Sequence, residues 1–289
     1  MVGIALLVFR ETLEAALLIG IIAAATRGVP GRNRWVAAGI GAGVLAALMV
    51  AALTGQISNL AGGMGTDLFN AGVLALAVAM LSWHTVWMAS HGQQLAREAS
   101  SLGQHIRSGA AAMSAACVAI AMAVLREGAE TVLFLYGMLS GGDASPAAAW
   151  AGGALGLAAG AAVGLVAYAG IVRVPMRRVF QVTSVLIMLL AASMAAQLAR
   201  ILSQADLVPQ GPEAVWDTSA WVADGSVLGN VLHALTGYVA RPSGVQLAFY
   251  VTVLVGLVLA QRWVTRRHQA LPPRAPTAPP APTASATAH

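Results

Sequence analysis

Two short passages of the sequence carry acidic and basic side chains in the same spacing. Residues 8–14 read VFRETLE and residues 124–130 read VLREGAE, so both follow the pattern V-x-R-E-x-x-E. Residues three apart share one face of a helix, so the two glutamates of each passage project together. An all-oxygen set of carboxylates favours a hard metal cation over copper or zinc. The candidate metal ligands are Glu11, Glu14, Glu127 and Glu130, and the candidate supporting cations are Arg10 and Arg126.

The composition excludes a water-soluble globular protein. Of the 289 residues, 58% are apolar and only 9% are charged, whereas a soluble domain carries roughly a quarter charged residues. The formal charge of +5 comes from arginines scattered between apolar runs, so it does not indicate a nucleic-acid partner. The single cysteine, Cys117, excludes a disulfide framework and a cysteine-based zinc site.

The apolar runs predict an all-α polytopic membrane protein. A spanning helix needs about 20 mostly apolar residues. Seven transmembrane helices are predicted, at about 3–26, 35–55, 68–88, 111–139, 147–171, 179–203 and 245–263. Arginines cluster in the connections after the first, third and fifth spans and after the seventh, which predicts that these segments are cytoplasmic. The N-terminus is then outside and the C-terminus inside, and we expect a bacterial inner membrane.

The repeated motif predicts how the spans are organised. It falls in the first and fourth spans, which cross the membrane in opposite directions, so we expect an inverted repeat of 3+3 helices plus one C-terminal helix. Inverted repeats commonly place the substrate site near the membrane midplane. The predicted units are a first repeat with a polar cytoplasmic extension (1–110), a second repeat (111–203), an extracytoplasmic loop (204–244), the seventh helix (245–268) and a disordered Pro-rich tail (269–289).

The charges in these two spans need compensation inside the protein. Each charge at a helix centre costs about 2.5–3.5 kcal/mol on insertion scales, so three per helix must face protein or water. Arg10 and Arg126 point about 100° away from the glutamates and are expected to bond a carboxylate or carbonyl of a neighbouring helix. A purely structural Arg–Glu pair would explain one glutamate per helix but not the second. Four carboxylates and two guanidinium groups leave a formal charge of −2. A cluster with this charge would either hold protons on its carboxylates or bind a cation. Charge alone does not choose between divalent and trivalent ions.

At these residues the chain resembles the oxidase-coupled high-affinity iron permeases, a family that includes the bacterial EfeU-type and the fungal iron permeases. The resemblance rests on R-E-x-x-E in the first and fourth of seven spans, with Gly128 matching the usual third position and Thr12 departing from it. It implies that the four motif glutamates bind iron and that the two arginines support them. It further implies import of iron, most simply as ferric ion, as substrate and not as a permanently bound cofactor. An extracytoplasmic oxidase or a periplasmic iron-binding protein is the implied partner.

Two other functions remain open on the sequence. One is transport of another hard cation, Mn²⁺ or Ca²⁺, coupled to protons. The other is an intramembrane carboxylate-metal enzyme, which is disfavoured because the Glu-x-x-His spacing of such sites is missing from both motifs. We therefore expect a transporter and no enzyme activity.

Several further residues are candidates for secondary roles. His84 and His91 share a helical face with Trp87 and Met88, which fits a second metal site but better fits an aromatic cluster at the membrane boundary. Arg200 is expected to extend outward to the interface or to line an outer vestibule. Glycines at 156, 160 and 164 predict a face for close helix packing. The acidic residues of the outer loop fit a solvated loop better than a cation or partner site; they are Asp206, Glu213, Asp217 and Asp224.

Overall fold

The computed structural model describes residues 1–61, 66–140, 145–170, 176–209 and 214–270. The described residues form α-helices joined by turns, with no β-strand among them. The helices are α1 (Val2–Ala25), α2 (Arg32–Ala61), α3 (Thr66–Arg107), α4 (Met113–Ser140), α5 (Pro146–Ala169), α6 (Met176–Gln204), α7 (Val227–Thr236) and α8 (Gly244–Ala270). The predicted disordered tail lies outside the described residues apart from its first two positions.

Seven long helices coincide with the seven apolar runs, and α3 continues without a break through the polar segment after residue 88. The eighth helix, α7, was not predicted. Ser226 caps its N-terminus, where the hydroxyl accepts a hydrogen bond from the Gly229 N–H at 2.9 Å, and Gly237 caps its C-terminus in the left-handed conformation. Its 10 residues are too short to span a bilayer, so α7 forms part of the loop between α6 and α8.

Five of the helices are long and apolar enough to cross a membrane, over Arg32–Thr54, Leu68–Met88, Pro146–Ala169, Arg178–Gln204 and Gly244–Arg266. These spans make the chain a multi-pass membrane protein. Helices α1 and α4 fall outside this set because every 18-residue stretch of either one includes all three charges of its motif. A count of seven spans stays a prediction, because it depends on how the charges of α1 and α4 are compensated.

Helix α5 packs against α1 along a stripe of buried glycines at four-residue spacing. A Cβ atom on Gly156 would lie 2.4 Å from the Ala5 carbonyl oxygen, and one on Gly160 would lie 2.7 Å from that of Phe9. Only glycine lets the two backbones approach this closely. The predicted close-packing face is confirmed, and it holds α1 parallel to α5.

Helix α4 packs against α2 in the same way. A Cβ atom on Gly39 would lie 2.7 Å from the Cys117 carbonyl oxygen, and one on Gly43 would lie 2.8 Å from that of Ala121. These two helices also run parallel. Each motif helix is therefore fixed along its length by a small-residue face of another helix.

Helix α3 lies in the centre and packs against α1, α4, α6 and α8. Near the middle of α3, four fully buried apolar side chains from four helices pack together: Leu7, Leu81, Phe134 and Met194. We refer to these four side chains as the apolar layer. Leu7 lies one turn before Glu11, and Phe134 lies one turn after Glu130, so the layer borders the motif residues on a single side.

Candidate metal site

Helix α1 buries all three of its charged side chains. The Arg10 guanidinium lies 3.3 Å from a Glu11 carboxylate oxygen and 3.0 Å from a Glu14 carboxylate oxygen. Arg10 and Glu11 are each 1% exposed, and Glu14 is 4% exposed. Arg10 therefore pairs with glutamates of its own helix, and the expectation that it reaches a neighbouring helix is wrong. The reason is that a guanidinium at position i reaches carboxylates at i+1 and i+4 along the same helix surface.

Helix α4 repeats this arrangement at a more open position. Arg126 Nε lies 3.2 Å from a Glu127 oxygen and 3.4 Å from a Glu130 oxygen. Its guanidinium also lies over the Trp87 ring, 4.7 Å from the centroid, and an Nη donates to the Met88 sulfur at 3.4 Å. Arg126 is 33% exposed along its side chain. The two motifs thus have the same internal pairing but differ in access.

His84 of α3 connects the two motifs. Its Nε2 lies 3.8 Å from a Glu11 oxygen and 3.7 Å from a Glu14 oxygen, while its Nδ1 contacts Glu130. The side chain is buried, so the interpretation of His84 as part of an aromatic cluster at the membrane boundary is wrong. The partners of His84 come from two other helices, which is why the sequence of α3 alone did not show its position.

Four side chains place possible ligand atoms within 4.8 Å of one another: Glu11, His84, Glu127 and Glu130. Glu14 borders this group through His84 and Arg10. Among the described residues, the buried oxygens without a hydrogen-bond partner include the Oε2 atoms of Glu11, Glu14 and Glu127, whereas Glu130 Oε2 contacts His84 Nδ1. Buried carboxylate oxygens without donors are costly unless a cation joins them. The donor set is three carboxylates and one imidazole, so the expectation of a purely oxygen set does not hold for this group.

The chemistry of this donor set suits a first-row transition metal as well as a hard cation. Imidazole and carboxylate together are typical ligands of iron, manganese and zinc. The four carboxylates and two guanidinium groups give −2 with a neutral His84, so a divalent ion balances the charge and a trivalent ion leaves +1. We refer to the four motif glutamates with His84 as the acidic cluster.

A cavity of about 510 Å³ borders the acidic cluster on the α3 and α4 side. Its lining includes His84, Arg126 and Glu130 together with Met80, Trp83 and Trp87. The apolar layer covers the cluster toward the beginnings of α1 and α3 with side chains that are 0–1% exposed. The cluster is therefore closed toward that end and borders a cavity between α3 and α4.

His91 lies outside the group of four ligand atoms. Its ring stacks on Trp87 with a centroid distance of 4.8 Å, and its Nδ1 lies 3.1 Å from the Trp87 carbonyl oxygen. His91 thus supports the ring that carries Arg126. The two histidines that were paired in the sequence interpretation have different surroundings.

The acidic residues of the outer loop make structural contacts within it. Asp217 pairs with Arg241 at 2.6 Å and accepts a hydrogen bond from the Ser219 N–H, and both contacts hold the pKa of its carboxyl well below the usual range. Asp224 accepts a hydrogen bond from the Ala240 N–H at 2.7 Å. Asp206 follows α6 with a positive φ of 54°, and Glu213 lies outside the described residues.

Long apolar helices around a buried carboxylate–imidazole cluster define a multi-pass membrane protein with a candidate cation site. The chain belongs to the iron permease FTR1 family, whose profile matches residues 1–265. This confirms the resemblance found in the two motifs.

Relatives of this chain are named as permeases. It is 29% identical over 277 residues to proteins named ferrous iron permease EfeU from Shigella sonnei (strain Ss046) and Escherichia coli O157:H7, covering 93% of this chain and 95% of each relative. It is 28% identical over 257 residues to the protein of that name from Yersinia pestis, covering 86% of this chain and 89% of the relative. No solved structure matches this chain.

Proposed function

We propose that this protein imports iron across the bacterial inner membrane and that the acidic cluster is the site through which the ion passes. One observation carries the proposal: glutamates from two separate motifs and a histidine from a third helix bring ligand atoms within 4.8 Å of one another in a buried position. Glu11, Glu127, Glu130 and His84 would contact the ion. Glu14 completes the four-glutamate site that the motifs predict, and Arg10 and Arg126 limit its negative charge.

The helix packing supports an inverted repeat as the architecture of this permease. We propose α1–α3 and α4–α6 as the two repeats, with α8 appended. An exchange of repeats turns the α1–α5 contact into the α4–α2 contact, and both are close parallel packings over small residues. The same exchange relates Arg10 and its two glutamates to Arg126 and its two glutamates. Seven spans, with the N-terminus outside and the C-terminus cytoplasmic, follow from this arrangement and from the arginine distribution.

Alternating access is the transport mechanism we propose. The apolar layer closes the cluster toward the beginnings of α1 and α3, which the arginine distribution assigns to the outside. The cavity between α3 and α4, beside Arg126 and Glu130, gives access to the cluster while the layer is closed. An ion would reach the cluster when the layer separates and would leave past Arg126, on the cytoplasmic side of the glutamates, when the layer is closed.

The oxidation state of the ion has two candidates. The resemblance to oxidase-coupled permeases leads us to propose ferric ion, supplied by an extracytoplasmic oxidase or a periplasmic iron-binding protein. Ferrous ion is the second candidate, favoured by the imidazole of His84 in the donor set, by the charge balance of a divalent ion and by the names of the relatives. Uptake measured from ferrous and from ferric supply separates the two.

The proposed function is tested by radio-iron uptake into proteoliposomes. We expect Glu127→Gln and Glu130→Gln to reduce uptake at least tenfold at normal protein content, because each removes one charged ligand from a buried site. Glu98→Gln is the matched control, since Glu98 is an exposed glutamate on the polar part of α3 that pairs with Gln94. Near-normal uptake in both cluster variants would reject the ligand role. Competition by Mn²⁺ or Ca²⁺ at equal concentration would instead favour a transporter of another cation, and turnover of a substrate without transport would favour an enzyme.

A further inference from the structure

A second cavity, of about 650 Å³, lies at the other side of the apolar layer from the acidic cluster. The last turns of α6 form one wall, the segment after α7 forms the second, and the beginning of α8 forms the third. Its size falls within the range of about 300–1,000 Å³ that is typical of small-molecule sites. We refer to it as the outer cavity, because the arginine distribution places these helix ends outside.

The outer cavity contains two arginines that the topology does not require. Of the 16 arginines, two belong to the motifs and all but two of the others lie in segments predicted to be cytoplasmic. The remaining two are Arg200 and Arg241, and both line this one cavity. Arginine is unfavourable in outer segments by the positive-inside rule, so its presence twice around one space indicates a role there.

Among the described residues, the charged groups of the lining are two guanidinium groups and one carboxylate, and its serine and glutamine side chains can both donate and accept hydrogen bonds. Asp224, the one carboxylate among the described lining residues, already accepts a bond from the Ala240 N–H, which ties it to the loop backbone. Arg241 pairs with Asp217 through one Nη, and both side chains are about half exposed or more, so this ion pair is weak. The other N–H groups of the Arg241 guanidinium can donate to a further partner. Ser243 and Gln246 at the beginning of α8 also line the cavity. Two guanidinium groups around one cavity suit an oxyanion.

We propose that the outer cavity binds a small polycarboxylate that chelates iron, held through its carboxylate groups by Arg200 and Arg241. The inference rests on the proposed function, because it assigns the form in which iron reaches the protein. Guanidinium groups bind carboxylates in a bidentate geometry, which two arginines around one cavity can provide for two carboxylate groups. The cation must then leave its chelator and pass the apolar layer, since the buried side chains of that layer have no room for the complex. The outer cavity and the acidic cluster thus recognise opposite charges in sequence.

Binding of citrate to the purified full-length protein in nanodiscs tests the proposal, measured by calorimetry with and without Fe³⁺. We expect Arg200→Gln to weaken citrate binding about tenfold or more, because it removes a charge-assisted contact. Arg262→Gln, at the opposite end of α8, is the matched control and should bind citrate like the wild type. Gln204→Leu is a second variant of the same wall, used if Arg200→Gln lowers the thermal stability, and it should weaken binding in the same direction. Equal citrate binding in the wild type and both wall variants would overturn the proposal.

Other oxyanions and the transport assay provide the remaining outcomes. Inorganic phosphate, or anionic lipid added to the nanodisc, should compete poorly with citrate; competition at equal concentration by either would overturn the assignment to a chelator. In proteoliposomes, Arg200→Gln should lower the ratio of uptake from ferric citrate to uptake from ferrous ion. Glu127→Gln should reduce uptake from both supplies while leaving citrate binding intact. Failure of that last variant to reduce uptake would reject the proposed function, whereas an unchanged ratio in Arg200→Gln would reject only the role of the outer cavity.

Discussion

Removal of the two motif arginines should have unequal effects on stability, although the motifs are equivalent in the sequence. Arg10 is almost fully buried between two carboxylates that are themselves 1% and 4% exposed. Breaking a buried ion pair by removing one partner costs about 3–5 kcal/mol, because the remaining charge is left without compensation. For a protein of this size, 1 kcal/mol shifts the melting temperature by about 2–4 °C, so Arg10→Gln should lower it by about 6–20 °C.

Arg126→Gln should cost much less stability. Its side chain is one-third exposed, and the contacts it loses are two partly screened ion pairs and a cation–π contact with Trp87, together about 1–2 kcal/mol. The expected decrease in melting temperature is then about 2–8 °C. Uptake should still fall, because Glu127 and Glu130 lose their shared counter-charge beside the open cavity.

The assay is thermal unfolding of both variants purified in one detergent, followed by tryptophan fluorescence. Arg262→Gln serves as a control for the loss of any exposed arginine and should leave the melting temperature unchanged. Equal decreases for Arg10→Gln and Arg126→Gln would show that the two motifs are equally buried and would refute the asymmetry between α1 and α4. A larger decrease for Arg126→Gln would show that Arg126 is the more buried of the two arginines, which would contradict its position beside an open cavity.

Three further outcomes are expected. His84→Gln should raise the iron concentration for half-maximal uptake at least about tenfold, measured in proteoliposomes, because the variant loses the nitrogen ligand; an unchanged value would exclude His84 from the site. Gly156→Ala should lower the melting temperature by several degrees, since its Cβ meets the backbone of α1 and overpacking costs about 1–3 kcal/mol, while Gly153→Ala on the same helix meets no atom within 4 Å and should not. The depressed pKa of Asp217 means that its pairing stabilises the outer loop at pH above about 4 and is lost only as the pH falls through the lowered pKa. The protection of the Ser219 amide against hydrogen exchange should therefore show no change caused by titration of Asp217 between pH 5 and 8. The Asp217→Asn variant should exchange this amide faster throughout that range.

The positions of the motif charges were predictable because charges in apolar runs have few physical explanations. A helix that places Arg10, Glu11 and Glu14 at mid-depth must compensate them, and this requirement leads directly to a shared site with a second such helix. The small-residue faces were predictable for a similar reason, since glycine in a membrane helix at four-residue spacing has a packing role.

His84 and α7 were not predictable in the same way. Histidine at the end of an apolar run fits an interfacial position equally well, and only the packing of α3 against α1 and α4 turns this side chain toward the glutamates. The sequence did contain one signal for the position of His84, which is the helical face that it shares with Trp87 and His91. In the structure the Trp87 ring on this face contacts Arg126 of the second motif. Helix α7 has only 10 residues and is too short to appear as a membrane span, so the cap at Ser226 was its only indication.

The difference between the motifs at their third position follows from packing and not from ligand chemistry. Thr12 of the first motif meets Gly160 of α5, where an added Cβ would lie 2.8 Å from the Thr12 Cβ. Gly128 of the second motif meets Ala47 of α2, where an added Cβ would lie 2.6 Å from the Ala47 Cβ. Each contact pairs a glycine with a larger residue. The motif helix contributes the larger residue in the first contact and the glycine in the second. The threonine in the first motif is therefore compensated across the helix interface, and the neighbouring glutamates keep the positions that the iron-permease pattern requires.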